Sequence, residues 1–476
     1  MPKIFFSVVL LSLFTCFGIT FFGCTTHRSA PQNELRAGVA EIDITPPVGY
    51  RLAGYFEERV STGIHDPLKA KAIVLQHGDR QIALVFCDLV GVSLNVSAKA
   101  RSRASEKTGI PIPHILISAT HSHTGPLFDD ERQKYFHELA LEKFGKDPTQ
   151  EIDYPEFLAD QIVKVIVEAQ SALELAQVDA GIGRQENLTF NRRFHMKNGK
   201  VAFNPGQLNP NIVRAAGPSD PDVGMLLVRD AKQKRRGGLT VFAMHADTIG
   251  GTQFSADYAF FLQETLRAEL GKNYISAFAP GTCGDLNHIN VAVKESVKGF
   301  NVAERIGKTL GETVLRDMAA TKRIRNPSFA VLSRKIIAPF QEVTAEQVAD
   351  AKQKIGALGD SSAAFFMKVE AVKILDLAEK GTNWPMEVQV FRLDSETAIV
   401  GLPCEIFVEL GLAIKAGSPF KKTIVMSICN DRPSYVPTKK AFAEGSYEVS
   451  NARVKPGVGE TLVETALELL KQIKTF

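Results

Sequence analysis

Cysteine is scarce in this chain: six in 476 residues, two of them (Cys16 and Cys24) inside an N-terminal apolar stretch. The other four, Cys87, Cys283, Cys404 and Cys429, show no Cys-x-x-Cys spacing and sit in apolar, strand-like surroundings. That excludes a zinc knuckle and a disulfide framework, and leaves small buried residues with at most one disulfide. A charge excess of one sign is also lacking. With 56 basic and 53 acidic side chains the net charge is +3, so no global field marks a nucleic-acid binder. Internal repeats and low-complexity tracts are absent, which excludes a solenoid. What is present is ordinary globular composition, 45% hydrophobic and 23% charged.

The one long hydrophobic run lies at the start, where Lys3 precedes an apolar stretch from Ile4 to Phe22. This is a signal-peptide pattern, residues 1–24. Gly23-Cys24 resembles a bacterial lipoprotein cleavage box, with Cys24 as the lipidated residue and membrane anchor. Simple secretion and an uncleaved anchor helix are the alternatives. Each places the body outside the cytoplasm, in the periplasm or on the outer membrane. Residues 25–33 read as a polar tether, and 34–476 as the body.

In the body, apolar–polar alternation predicts a strand over Ala37–Pro47, and a turn at Gly78-Asp79 followed by a continuous apolar arm predicts a hairpin over Lys69–Leu75 and Gln81–Val90. A second hairpin is predicted over Val223–Arg229 and Gly238–Met244. Further strands are expected at Val178–Leu188, Tyr274–Phe278, Phe329–Ile337, Met386–Leu393, Thr397–Leu402 and Thr423–Cys429. Helical spacing marks Ser93–Lys107, Tyr154–Leu175, Asp257–Leu270, Val302–Ala320 and Glu460–Ile473. A further helix is expected to open at Pro403-Cys404-Glu405. Residues 128–152 read as an irregular surface insertion, and 342–380 as a helical excursion over the surface. The fold class is α/β (α+β mixed), with a large mixed sheet and flanking helices.

Several predicted strands end in a residue able to bind a metal or move a proton. The clearest is Ile115-Leu116-Ile117, which runs into Thr120-His121-Ser122-His123-Thr124-Gly125-Pro126. In an extended backbone His121 and His123 would face the same side. His245, Asp285, Glu405 and Tyr435 occupy equivalent points elsewhere, and Asp88 either orients a catalytic group or caps a turn. Two imidazoles and a carboxylate suit Zn²⁺ and leave a position open for water.

The double-histidine stretch resembles the Thr-His-Thr-His-Ser-Gly-Pro signature of the neutral/alkaline (non-lysosomal) ceramidases. Ala-Gly-Val-Ala-Glu-Ile-Asp-Ile-Thr near the start, Phe-Ala-Met-His at His245, Gly-Leu-Pro-Cys-Glu at Glu405 and Cys429-Asn430 before Tyr435 follow the family's order. The resemblance spans roughly Arg36 to the C-terminus and implies a catalytic domain over 34–476, without the family's immunoglobulin-like domain. It implies zinc held by His121, His245, Glu405 and Tyr435. It also implies Tyr447 at the oxyanion, Asn191-Arg192 as a substrate clamp with Arg192 the cation, and His123 beside the metal or facing substrate.

One departure stands out. The family's Gly-Asp-x-Ser-Pro-Asn stretch, which carries its nucleophile, corresponds to Gly284-Asp285-Leu286-Asn287-His288, so Asn287 replaces the serine. An amide cannot be the nucleophile. Either water activated by zinc attacks, with His123, His288 or Asp285 taking its proton, or the site binds without hydrolysis. The expected activity is amide hydrolysis in a lipid or amino-sugar conjugate. A zinc esterase or lactonase, or a non-catalytic lipid- or glycan-binding protein, is the alternative.

Overall fold

The computed structural model describes residues 1–4, 34–359 and 364–476. The signal-peptide run and Cys24 therefore lie outside the described residues, among which no helix is long and apolar enough to cross a membrane.

The chain begins with β1 (Leu35–Asp43), then β2 (Lys69–His77), β3 (Arg80–Cys87), α1 (Leu94–Thr108) and β4 (Ile115–Ala119). Helices α2 (Glu131–Phe144) and α3 (Tyr154–Ser171) lead to β5 (Glu174–Arg184), β6 (Asp222–Asp230), β7 (Arg235–Phe242), α4 (Tyr258–Leu270) and β8 (Ile275–Pro280). These strands form one mixed sheet in the order β8-β7-β6-β5-β1-β2-β3-β4, with Lys322–Arg323 pairing on β5. Both end pairs, β7–β8 and β3–β4, are parallel.

After α5 (Phe300–Asp317) comes β9 (Ala330–Pro339), then α6 (Ala345–Lys354), α7 (Phe365–Lys380), β10 (Asn383–Arg392), β11 (Thr397–Gly401), α8 (Val408–Gly417), β12 (Lys422–Met426) and α9 (Val458–Lys474). Strands β9-β10-β11-β12 form a second sheet of four. The expected large mixed sheet is the first of these, and the second sheet is separate from it.

Period-2 alternation explains how they stack. In β2 and β3, Ile73, Leu75, Ile82, Leu84 and Phe86 enter one core, while Val74, Ala83 and Val85 enter another. Phe391, Ile399 and Ile424 of the second sheet share the first of these cores, so the two sheets pack face to face. The opposite face of the first sheet lies on α3, through Leu158, Ile162 and Ile166, with Val96 and Ala100 of α1. The outer face of the second sheet lies on α8 and α9 through Val388, Val390, Leu462 and Leu469. Helix, sheet, sheet and helix form four layers in that order.

Most predicted elements fall within a few residues of their observed limits. Two of these expectations change. Residues 128–152 contain the regular helix α2, opened by Asp130, whose carboxylate accepts from the Arg132 backbone N–H at 2.9 Å. The helix expected at Glu405 starts at Val408, because Glu405–Ile406 is a short strand paired with Tyr435–Val436. All four body cysteines are buried and free. Asp88 does not cap the turn that follows it: its Oδ2 accepts from the Lys69 backbone N–H at the start of the neighbouring strand at 2.9 Å, and burial pushes its pKa up to about 6.

Candidate metal centre and its cavity

His121, His245 and Glu405 each follow within four residues of the C-terminal end of a strand of one of the two sheets. After β4 the chain turns at His121, which has φ of +66°. The two histidines of the motif therefore do not lie on an extended segment. Their rings converge all the same, 4.9 Å apart and nearly perpendicular, because the left-handed residue folds the chain back on itself. A parallel bridge between Ser122 and Ala246, with the His123 N–H donating to the Ala246 carbonyl at 3.0 Å, clips this turn to the segment that follows β7. That segment carries His245. The register pairing Glu405 with Tyr435 sets the carboxylate beside the tyrosine.

These four segments meet at one point. His121 Nε2 lies 3.2 Å and His245 Nε2 lies 3.0 Å from the same oxygen, Glu405 Oε2. The other nitrogen of each ring faces backbone: His121 Nδ1 is 2.7 Å from the Val90 carbonyl, and His245 Nδ1 is 2.9 Å from that of Cys283 and 3.0 Å from that of Leu286. Carbonyl oxygens only accept, so both Nδ1 atoms carry the proton and both Nε2 atoms turn inward. His123 Nε2 is 3.5 Å from His121 Nε2. The three histidines form a cluster whose ligand atoms lie within 4.8 Å of one another.

Electrostatics favour the donor forms. Burial pushes His245 down to about 4, with Arg192 adding to the effect, and burial holds His123 well below its ordinary value. Burial works to raise Glu405, but His121 and His245 hold it well below the usual carboxylate range. Imidazole nitrogens and a carboxylate oxygen thus bring lone pairs to one buried point, which suits a bound cation.

Tyr435 stacks on His245, with centroids 6.4 Å apart and planes 14° apart, and Tyr447 lies against Tyr435 at 5.6 Å. Burial raises both phenols, Tyr447 to about 12. Arg192 lies behind them, its guanidinium 5.5 Å from the Tyr435 centroid and 5.9 Å from that of Tyr447. Its donors go to Glu448 Oε1 at 2.8 Å and the Gly284 carbonyl at 2.7 Å. It braces the tyrosines instead of reaching into the open space.

Asp285 and Asn287 are also set back. Asp285 accepts from the Val408 backbone N–H and from Asn191 Nδ2, both at 2.8 Å, and burial pushes its pKa up to about 6. Asn287 donates to Asn204 Oδ1 and accepts from the Ile289 N–H, each at 3.0 Å, so its amide ties two loops together. His288 donates from Nε2 to the Val297 carbonyl at 2.7 Å.

The centre opens into a cavity of about 380 Å³ whose surface includes His121, His123, Glu405, Tyr435 and Tyr447. Two features escaped the sequence reading. Asp247, two residues after His245, faces His123 Nδ1 at 3.9 Å and is bonded to Tyr55 and Lys298. Its place in His-Ala-Asp was the available signal. Helices α2 and α7 line the cavity with Glu131, Lys134, Asp376 and Glu379, so neither segment is an idle surface excursion.

Stacked sheets with strand ends converging on a buried imidazole–carboxylate centre define an α/β protein with a donor set that suits a metal ion at the foot of a cleft. The chain belongs to the neutral/alkaline non-lysosomal ceramidase family: the description of that family's N-terminal domain matches residues 35–363. It is a ceramidase-like hydrolase. A neutral ceramidase of Pseudomonas aeruginosa is 22% identical over 87% of this chain and 68% of its own length. In fold, a structure described as a ceramidase complexed with C2 superposes with a TM-score of 0.71 at 18% identity, covering 93% of this chain and 76% of that one. The neutral ceramidase of Pseudomonas aeruginosa gives 0.70 at 20% identity, covering 93% and 75%.

Proposed function

We propose that this protein is an extracytoplasmic, zinc-dependent hydrolase that cleaves an amide bond in an N-acyl lipid or amino-sugar conjugate. The observation that carries this reading is the approach of two imidazole Nε2 atoms to one Glu405 oxygen, at 3.2 and 3.0 Å. His121, His245 and Glu405 are the residues that would hold the metal, with Tyr435 or His123 completing the set. Bound there, zinc would supply Lewis-acid polarisation of the scissile carbonyl and acidify water. The carbonyl contacts at each Nδ1 fix both ring orientations, the usual outer support of a metal-ligating histidine. Tyr447, on the cavity surface, is placed to donate to the carbonyl oxygen as charge develops there. Of the three groups considered for taking a proton, Asp285 and His288 are engaged elsewhere, and His123 alone lies on the cavity. The apolar N-terminal run and Cys24 support export and lipid anchoring.

The engaged Asn287 amide, standing where the family places its nucleophile, favours a second reading: a binding protein for the same ligands. One experiment separates the two. The purified mature chain and its His121→Ala and His245→Ala variants are assayed for bound metal and for hydrolysis of N-acyl amides. The expected result is one zinc and turnover in wild type, with both lost in each variant. Zinc without turnover would leave the binding protein, and no zinc after supplementation would remove the metal-dependent reading.

A further inference from the structure

The cavity changes character away from Glu405. Its outer wall is made of ion pairs. Arg132 grips Asp130 through both carboxylate oxygens, at 2.7 Å each, and gives its third nitrogen to the Tyr55 carbonyl at 2.7 Å. Asp376 is held by Lys380 and by Arg453, the latter at 2.8 Å, while Lys134 bridges Glu131 and Glu379. Even the aromatic rings are covered: Arg132 lies 5.4 Å over Phe56, and Lys380 lies 5.3 Å over Trp384.

Arg432 is the exception among these cations. Its Nη2 donates to the Phe128 carbonyl at 2.8 Å. Its Nη1 comes no nearer than 3.7 Å to Asp130, a carboxylate already held by Arg132, and its Nε is buried with no partner among the described residues. Packing adds to this loose pairing in setting its position. The stem lies on Gly91, where a Cβ would fall 2.1 Å from Arg432 Cδ, and the guanidinium lies 5.5 Å from the Phe128 centroid. Three residues before Tyr435, it lines the same cavity as His121 and Glu405.

A long alkyl chain laid along this wall would strip water from ion pairs and return no hydrogen bonds. A carboxylate would instead meet a fixed guanidinium whose Nη1 and Nη2 keep N–H donors beyond the Phe128 carbonyl and the loose Asp130 contact. We propose that the substrate carries a carboxylate, or an equivalent anion, that Arg432 binds while the scissile bond lies at Glu405. This specificity rests on the hydrolase reading above. The anion can belong to the acyl half or to the amine half.

The test uses the zinc-loaded mature chain, wild type beside Arg432→Met, which keeps the stem, and Gly91→Ala, which displaces it. Substrates are the glutaryl, acetyl and dodecanoyl amides of one fluorogenic amine, and N-acetyl-aspartate beside N-acetyl-ethanolamine. An anion preference in wild type, on the acyl pair or the amine pair, that falls by about tenfold in both variants supports the assignment and tells which half carries the charge. Preference for the dodecanoyl amide, or a ratio unchanged in Arg432→Met, overturns it. Should no amide be cleaved, the hydrolase reading fails, and calorimetry of glutarate against the uncharged glutaramide decides the inference alone. Glutarate bound more tightly by wild type only would sustain it; glutaramide bound equally or better would end it.

Discussion

At the foot of the cavity the functional side chains are fixed by backbone, whereas at its mouth they are fixed by one another. His121 and His245 are aimed by carbonyls of Val90, Cys283 and Leu286, and Glu405 by a strand pairing that also carries Tyr435. Arg132, Lys134, Lys380 and Arg453 are aimed by carboxylates on α2 and α7, segments inserted between strands. The difference has a functional consequence. Moving the foot means moving both sheets, while the mouth can be rewritten by substitutions on two helices. One fold can thus keep its chemistry and change what it admits.

The sharpest way to break that contrast is to unseat the foot without touching a metal-binding candidate. Arg192→Ala leaves Glu448, which is fully buried, with only the 3.2 Å contact from Arg193. Loss of a buried ion-pair partner costs about 3 kcal/mol, and the two tyrosines lose the cation they stack on. Denaturant unfolding is expected to show that loss, and kcat is expected to fall more than KM rises, since Arg192 does not reach the cavity. A KM effect alone would restore it as a substrate clamp. A smaller loss is expected from Asp285→Asn. The Val408 N–H and Asn191 reach different carboxylate oxygens, an amide has only one, and one unsatisfied buried group costs about 1–3 kcal/mol. Unchanged stability would mean that the bracing behind the foot is dispensable.

These contrasts bear on what the sequence made legible. The strands of the first hairpin were readable because a turn at Gly78-Asp79 separates two apolar runs, in which Ile73, Leu75, Leu84 and Phe86 alternate with apolar residues of the opposite face. Alternation tells which face a residue takes, not which sheet a strand joins, so the division into two sheets was hidden. His121 and His123 announced themselves through motif and chemistry, yet their convergence comes from a left-handed His121, which nothing in the residue type requires. Glu405 and Tyr435 were legible through resemblance, and their pairing across a two-residue strand was not. The mouth was the least legible part. Helix α2 looked like loop because its sequence is charged, and those charges are satisfied by partners such as Glu379, distant in the chain.

That mouth offers the smallest and most specific effect. Burial, and then the hydrogen bond that protonated Glu131 donates to Glu379, push Glu131 up to about 7 from an ordinary value near 4.5, while Glu379 moves the other way. The folded chain therefore keeps a proton on Glu131 over a range where the unfolded chain has released it. Stability must fall as pH rises from about 4.5 to about 7 and level off above, since the state that binds more protons is favoured at lower pH. Glu131→Gln retains a donor toward Glu379 and cannot ionise. Thermal melts from pH 4.5 to 8 are expected to show wild type losing ground to the variant through that window and a constant gap above it. Taking the difference removes the slope that Asp88 and Asp285 contribute to both proteins. Parallel curves would show that the two carboxyls do not share a proton, and that the mouth, like the foot, is held by something other than its own charges.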